Sequence, residues 1–445
     1  MRVLMVTRGV LPLGPRSGGA ELYAFSLARH LVSLSHQVTL IADAEETVVV
    51  GPGAPGLTVS WRPGHRRAVS LARLIPLAFP RWLLQHLIGN VRVSRRALAA
   101  LKNPGSDFDV IHTHGALSTI MIGKAIRATG LQIPLVYTEH DSTPWSCSPR
   151  GLIERVMRRL VYRAINLSAC RNSDAVVTSY DSLADELARR TKMPRQRFVV
   201  SPNGADARLR SLNLVERRPA FRPPSISRYC LFVGSLCERK APDLLLRALA
   251  ISQTDLGLVL VGAGPMASQL RRLAKKLAIE DRVYFAGSQP HEVVCQYYMD
   301  AEFVVLPSVS ETAPLVLIES LALGTPVIAT QLDGIATIVR HGANGLLVPA
   351  GGIQPLAEAI TLLARDGRLC QQLRLAATGS IPDDFTWDAI ATRLDGVYSR
   401  LTGLVPASTA VMASSQPVAV NAAWRVQSPE PADELVAPAV EEYAT

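Results

Sequence analysis

What this 445-residue chain lacks closes off whole classes of protein. It has no run of about 18 uncharged apolar residues, so no transmembrane helix is expected. Its six cysteines, Cys147, Cys170, Cys230, Cys237, Cys295 and Cys370, are scattered and never stand in CxxC spacing. That argues against a disulfide framework and a zinc site and favours a reducing cytoplasm. Aromatic residues make up only 5% of the chain and no RNA- or DNA-binding module is visible, so nucleic acid is not an expected partner. There is no GxGxxG fingerprint, which removes the nicotinamide oxidoreductases. Acidic residues are missing altogether between Glu46 and Asp107, although the net charge of the chain is +10.

That acid-free span carries Arg62, Arg66, Arg67, Arg73, Arg81, Arg92, Arg95, Arg96 and Lys102, interleaved with Leu74, Ile75, Phe79, Trp82 and Leu83. Two readings fit it: a peripheral contact with an anionic membrane surface, or a basic solvated face over ordinary core helices. The start, Met-Arg-Val-Leu-Met-Val-Thr, is apolar but short and meets Arg8, so it is expected to be a first strand and not a signal peptide.

Apolar content is 48%, enough for two cores. Short apolar runs ending in polar residues recur along the chain. They include residues 2–6, 38–41, Phe108–Gly115, Pro134–Thr138 (followed by Glu139-His140-Asp141), Ala175–Thr178 and Phe198–Ser201 (followed by Pro202-Asn203-Gly204-Ala205-Asp206). Gly18 and Gly19 separate the first run from an amphipathic helix, and a glycine pair there lets the backbone approach an anion. His140 can accept from or donate to a hydroxyl near neutral pH, or hydrogen-bond loop backbone. Residues 212–228 are rich in Pro and Arg, lack periodicity and are expected to be a linker. The second half repeats the pattern, with strands expected at Tyr229–Gly234, Leu258–Gly262 and Val283–Gly287. Arg239-Lys240 opens a helix over Ala241–Ala250. A final amphipathic helix is expected over Trp387–Leu401, and the Ala/Pro/Ser/Glu-rich tail from about 403 is expected to be disordered.

The stretch Ser308–Gly324, SVSETAPLVLIESLALG, lies between the expected strands Phe303–Pro307 and Val327–Ala329, which makes a βαβ unit. In a parallel sheet, ligands sit at the carboxyl ends of strands, where this polar turn falls. A helix beginning near residue 313, with Pro314 in its first turn, offers free N–H groups to phosphate. Glu311 and Glu319, with seven residues between them, can accept from sugar hydroxyls, or can be a helix-start acid and a solvated helix residue.

Five segments together resemble the retaining GT-B glycosyltransferases of family 4: Gly18-Gly19-Ala20-Glu21, DVIHTHG with TEHD, Pro202-Asn203-Gly204-Ala205-Asp206, FVGSLCERKAPDLLLRAL and PSVSETAPLVLIESLALGTPVIAT. The similarity spans about residues 1–402 and is most specific over 229–350. It implies an α/β GT-B fold with two doubly wound, Rossmann-like domains facing each other across a cleft. The expected divisions are an acceptor-side domain at 1–211, a linker at 212–228, a nucleotide-sugar domain at 229–385, a helix at 386–402 and a tail at 403–445. The resemblance implies an NDP-sugar donor (a UDP- or GDP-sugar), a hydroxyl acceptor, and neither metal nor cofactor. Glu319 would bind the donor ribose, and Glu311 and His140 would face the transferred sugar. Lys240 and Arg239 would clamp the diphosphate, with amides near Ala313 and Leu315 adding to the anion site. Gly18 and Gly19 would approach the phosphate from the other half, and Asn203, Gly234 and Gly264, at strand ends, would line the same cleft.

Three departures from the family pattern stand out. Ser235 replaces a frequent arginine, Thr312-Ala313-Pro314 replaces Gly-Phe-Gly, and Asp333-Gly334-Ile335-Ala336-Thr337 lacks the last glutamate of Gly-Gly-x-Pro-Glu. The leading expectation is an enzyme of cell-envelope polysaccharide synthesis acting on a lipid-linked acceptor at the cytoplasmic membrane face. The alternatives are a soluble small acceptor, or a non-catalytic sugar-nucleotide-binding scaffold.

Overall fold

The computed structural model describes residues 1–7, 19–42, 57–60, 81–102, 107–140, 152–206, 209 and 226–406. Gly18, basic residues 62–73, most of the expected linker and nearly all of the tail lie outside these residues.

Two fully parallel sheets organise the chain. Strands β1 (Arg2–Val6), β2 (Gln37–Ile41), β3 (Leu57–Ser60), β4 (Val110–Thr113), β5 (Leu135–Thr138), β6 (Ala175–Thr178) and β7 (Phe198–Val200) form the first, in the order β3-β2-β1-β4-β5-β6-β7. Strands β8 (Tyr229–Val233), β9 (Gly257–Val261), β10 (Val283–Gly287), β11 (Phe303–Leu306), β12 (Val327–Thr330) and β13 (Gly345–Val348) form the second, in the order β10-β9-β8-β11-β12-β13. In each sheet the winding reverses once, between β1 and β4 and between β8 and β11. Chains leaving neighbouring strands in opposite directions open a crevice there.

The strand sequences explain why both sheets are covered on both faces. Side chains alternate across a strand, and strands such as β1, β8, β9 and β11 bury consecutive apolar side chains, which places apolar groups on both faces. Val3 and Met5 join the core cluster under one face of the first sheet, Leu4 and Val6 the cluster under the other. Leu231 and Phe232 divide in the same way in the second sheet. The basic, amphipathic helix Arg81–Lys102 is one of the covering elements. It buries Val93 and Ala97, Arg96 donates to the Ala42 carbonyl at 2.7 Å, and Arg95 and Lys102 are exposed.

The last helix, Trp387–Thr402, returns to the first sheet. Trp387, Ile390, Ala391, Leu394, Val397 and Tyr398 enter the same core as Val3, Met5 and the helix Gly19–Ser33. The crossing is tight: a Cβ on Gly204 would lie 2.8 Å from Ile390 Cδ1 and 3.0 Å from the Trp387 backbone nitrogen. His36, in the turn before β2, lies 3.1 Å from Asp395 of this helix, and both side chains are fully buried. Trp387→Ala therefore removes a side chain shared by the helix and the sheet. We expect a loss of about 3–5 kcal/mol in urea unfolding followed by circular dichroism; an unchanged midpoint would mean that the helix is not integral to this core.

Candidate active site

The crevice of the second sheet is built from the loops that follow β8 and β11. After β8 the chain passes Gly234, at φ 149°, and reaches a single 3₁₀ turn, Glu238–Lys240. Arg239 and Lys240 therefore sit in this turn and do not open the helix as expected. Ala241, at φ 48°, reverses the chain before the helix Pro242–Ile251. The loop after β9 lies directly on this one, since a Cβ on Gly264 would fall 2.7 Å from the Leu236 backbone nitrogen. Close backbone packing thus gives Gly264 a structural reason of its own.

After β11 the chain delivers Glu311 to the same place. Lys240 Nζ lies 2.7 Å from Glu311 Oε1, and Arg239 Nη1 lies 3.1 Å from Oε2. Arg239 also donates to the Ser310 carbonyl at 3.2 Å, which fixes the guanidinium against the loop. The Glu311 side chain is only 5% exposed. Burial pushes its carboxyl up, but Lys240 and then Arg239 outweigh burial and hold it below the usual carboxylate range. The cluster is thus a buried carboxylate between two cations, with one positive charge in excess.

The helix that follows is Leu315–Ala322, and Pro314 precedes it at the N-cap, at φ −70° and ψ 114°. Pro314 was expected inside the first turn. At the cap its extended backbone starts the helix at Leu315 and not near residue 313, and the first-turn amides of Leu315 and Val316 are left without intrahelical acceptors. Glu319 lies on this helix, buried, away from the Glu311 cluster and with partners of its own. His291 Nε2 is 3.0 Å from Oε1, and the Tyr298 hydroxyl donates to Oε2 at 3.2 Å. Hydrogen bonding to Cys295 and then to Glu319 pushes the His291 imidazole up to about 11. Neither His291 nor Tyr298 was singled out from sequence. Both lie in the helix His291–Asp300, whose contact with the Glu319 helix no spacing rule announces.

The first sheet contributes three histidines from the ends of β4 and β5. His112 and His114 stack with ring centroids 4.5 Å apart, and His114 and His140 at 5.2 Å. The ring of Tyr23 meets His140 edge-on at 4.9 Å. His112 is bonded to the Tyr398 hydroxyl and to Thr138 Oγ1, each at 2.6 Å. Burial pushes His112 down to about 3, His140 down to about 4 and His114 well below the ordinary range, so all three are neutral at pH 7.

The loop between Glu311 and the helix joins the two halves. Thr312 Oγ1 donates to the His140 carbonyl at 3.2 Å, Asn203 Nδ2 donates to the Ala313 carbonyl, and Leu315 packs into the first sheet's core. Ser182 Oγ also donates across the cleft, to Asp333 at 3.0 Å. Of the expected site residues, Glu311, Lys240 and Arg239 form one cluster, and Ala313 and Leu315 carry the link to Asn203 and His140. Gly234 and Gly264 lie in the floor loops, and Glu319 stands apart with His291. Gly19 opens its helix, and among the described residues nothing lies within 4 Å of a would-be Cβ there. Among the described residues no group of three or more His, Cys, Asp or Glu is placed to hold a metal ion, and no helix is long and apolar enough to cross a membrane.

Comparison with known proteins agrees with this fold. Residues 17–209 match the family described as Glycosyltransferase Family 4, and residues 216–379 match Glycosyl transferases group 1. The D-inositol 3-phosphate glycosyltransferase of Acidothermus cellulolyticus is 31% identical over 400 residues, covering 86% of this chain and 85% of that protein. The same-named protein of Nocardia farcinica is 31% identical over 406 residues, covering 86% of this chain and 85% of its own. Among solved structures, a sucrose-phosphate synthase from Thermosynechococcus elongatus superposes with a TM-score of 0.72 at 23% identity, over 90% of this chain and 99% of that one. Anabaena HepE in complex with UDP and glucose superposes with a TM-score of 0.64 at 20% identity, over 90% of this chain and 100% of that one. Two doubly wound parallel sheets, a switch-point crevice and relatives of this identity over most of the chain lead to one conclusion: the chain belongs to glycosyltransferase family 4 and is a glycosyltransferase of the GT-B form.

Proposed function

We propose that the protein transfers a sugar, with retention of configuration, from a nucleoside diphosphate sugar to a hydroxyl of a small phosphorylated polyol. The observation that carries the reaction is the Glu311 carboxylate held between Lys240 and Arg239 at the switch point of the second sheet. Lys240 has three donor hydrogens and Arg239 five, so each can hold Glu311 and still reach a diphosphate. As the bond from the anomeric carbon to the diphosphate breaks, those cations stabilise the leaving oxygen's charge, and Glu311 stabilises the oxocarbenium-like sugar. A carboxylate neutralised by two cations is a weak nucleophile. The acceptor oxygen therefore bonds to the anomeric carbon on the face the diphosphate leaves, and its proton passes to the departing phosphate oxygen. Glu319, oriented by His291 and Tyr298, holds the ribose diol.

Two relatives of 31% identity are named D-inositol 3-phosphate glycosyltransferases, and this supports a small phosphorylated acceptor. A second reading, a lipid-linked acceptor at a membrane face, is favoured by the basic helix Arg81–Lys102 with exposed Arg95 and Lys102. The test is incubation with radiolabelled UDP- and GDP-sugars, offering inositol phosphates in one set and a membrane lipid extract in the other. Label in a water-soluble phosphorylated product is the expected result. Label confined to the lipid fraction selects the second reading, and neither transfer nor nucleotide release contradicts both.

The charge balance at Glu311 gives a pH prediction. Its native pKa lies below the unfolded value of about 4.3. The contribution of the ion cluster to stability is therefore fully present above that value and is lost as pH falls through the lowered native pKa. Lys240→Met removes the nearer cation, so burial then pushes Glu311 up. In the pH–rate profile of the residual activity the acid limb should move to higher pH; a limb left in place would show that Lys240 does not set the ionisation of Glu311.

A further inference from the structure

The ring of His140 is held at one nitrogen only. His114 Nδ1 lies 2.9 Å from His140 Nε2. Among the described residues no protein group bonds His140 Nδ1, and the residue is half-buried at the cleft. His114 is buried, and its second nitrogen, Nε2, is enclosed with no hydrogen-bond partner among the described residues.

One proton lies between the two rings, and two arrangements are open. If His140 donates from Nε2, then neutral His114 must carry its own proton on Nε2, where a buried N–H finds no acceptor. If His114 donates from Nδ1, only a lone pair is left enclosed on its Nε2. A buried orphan N–H is the rarer and costlier defect. The second arrangement also fixes His140: its Nε2 accepts, so its proton sits on Nδ1. We infer that His114 is a positioning residue that locks His140 in the Nδ1–H tautomer, presenting that ring to the cleft as a hydrogen-bond donor and not as a base.

Two further contacts hold the same geometry. The Thr312 hydroxyl occupies the His140 carbonyl, and Tyr23 closes on the ring edge-on. The strong downward shift of both histidines keeps a second proton off the pair at neutral pH. The consequence for transfer rests on the function proposed above. A locked Nδ1–H can hold a hydroxyl oxygen of the donor sugar, but it cannot take the acceptor's proton, which leaves the departing phosphate oxygen as its destination.

The test uses the ligand-free full-length protein and does not depend on turnover. ¹⁵N-labelled histidine side chains are read by long-range ¹H–¹⁵N correlation at pH 7, with His140 assigned by its loss in His140→Gln. The expected spectrum shows His140 protonated at Nδ1 and bare at Nε2, and bare Nε2 on His114. His114→Asn keeps an N–H donor where Nδ1 stood and should keep the His140 pattern. His114→Phe keeps the ring but not the donor and should lose it, with the Nε2-protonated form appearing. A wild-type His140 protonated at Nε2, or a pattern unchanged in His114→Phe, overturns the inference. Absence of sugar transfer would count against the proposed function and leave the tautomer result standing.

Discussion

The ammonium of Lys240 lies 2.7 Å from the Glu311 carboxylate, and the arrangement of the cleft depends on that contact. A carboxylate this deeply buried is costly to ionise alone, and removing its partner from such a pair typically costs about 3–5 kcal/mol. Lys240 comes from the turn after β8 and Glu311 from the loop after β11. They meet because β8 and β11 are neighbours at the one place where the winding of the sheet reverses. The topology therefore creates the charge cluster, and the cluster in turn holds the loop that reaches the other half.

That loop carries Thr312-Ala313-Pro314, and these residues have a structural use. Thr312 supplies a hydroxyl to the His140 carbonyl, and the Ala313 carbonyl takes the Asn203 amide. Gly334 approaches the Thr312 carbonyl so closely that no side chain fits there, and Tyr180 of the first half borders the same glycine. The altered Thr-Ala-Pro and Asp-Gly-Ile-Ala-Thr segments thus pack on each other and on the opposite domain. One end of the loop carries Glu311 and the other the Glu319 helix.

Much of this architecture was legible in the sequence, for a physical reason. Strands buried on both faces are mostly apolar, so runs such as Phe303-Val304-Val305-Leu306 announce themselves, as does the polar loop after each. Where the chain is amphipathic the period also serves: the helices at Gly19–Ser33 and Trp387–Thr402 fall where the spacing puts them. What sequence order cannot carry is which strand ends become neighbours. Lys240 and Glu311 are separated by three strands and three helices, and pair through the strand reversal. His291 and Tyr298 reach Glu319 by helix packing, and His114 reaches His140 from the adjacent strand end. The Glu319 helix starts about two residues later than the sequence suggests, because proline's fixed φ suits the cap as well as the first turn. The acid-free basic segment divides by position: the helix beyond Arg81 covers the sheet and spends Arg96 on a backbone carbonyl, so composition alone did not say which of its charges face water.

The central claim is that Glu311, neutralised by Lys240 and Arg239, stabilises the transferring sugar without becoming bonded to it. The most direct measurement is the steady-state transfer rate of Glu311→Gln against wild type at saturating donor, with the donor KM taken from the same curves. Glutamine keeps the shape and removes the charge, so kcat should fall by about a hundredfold or more, the range seen when a group that stabilises transition-state charge is lost. KM should change far less, since the proposed function gives the diphosphate and the ribose other partners. A variant that transfers sugar at the wild-type rate would contradict the assignment and move the reaction centre away from Glu311.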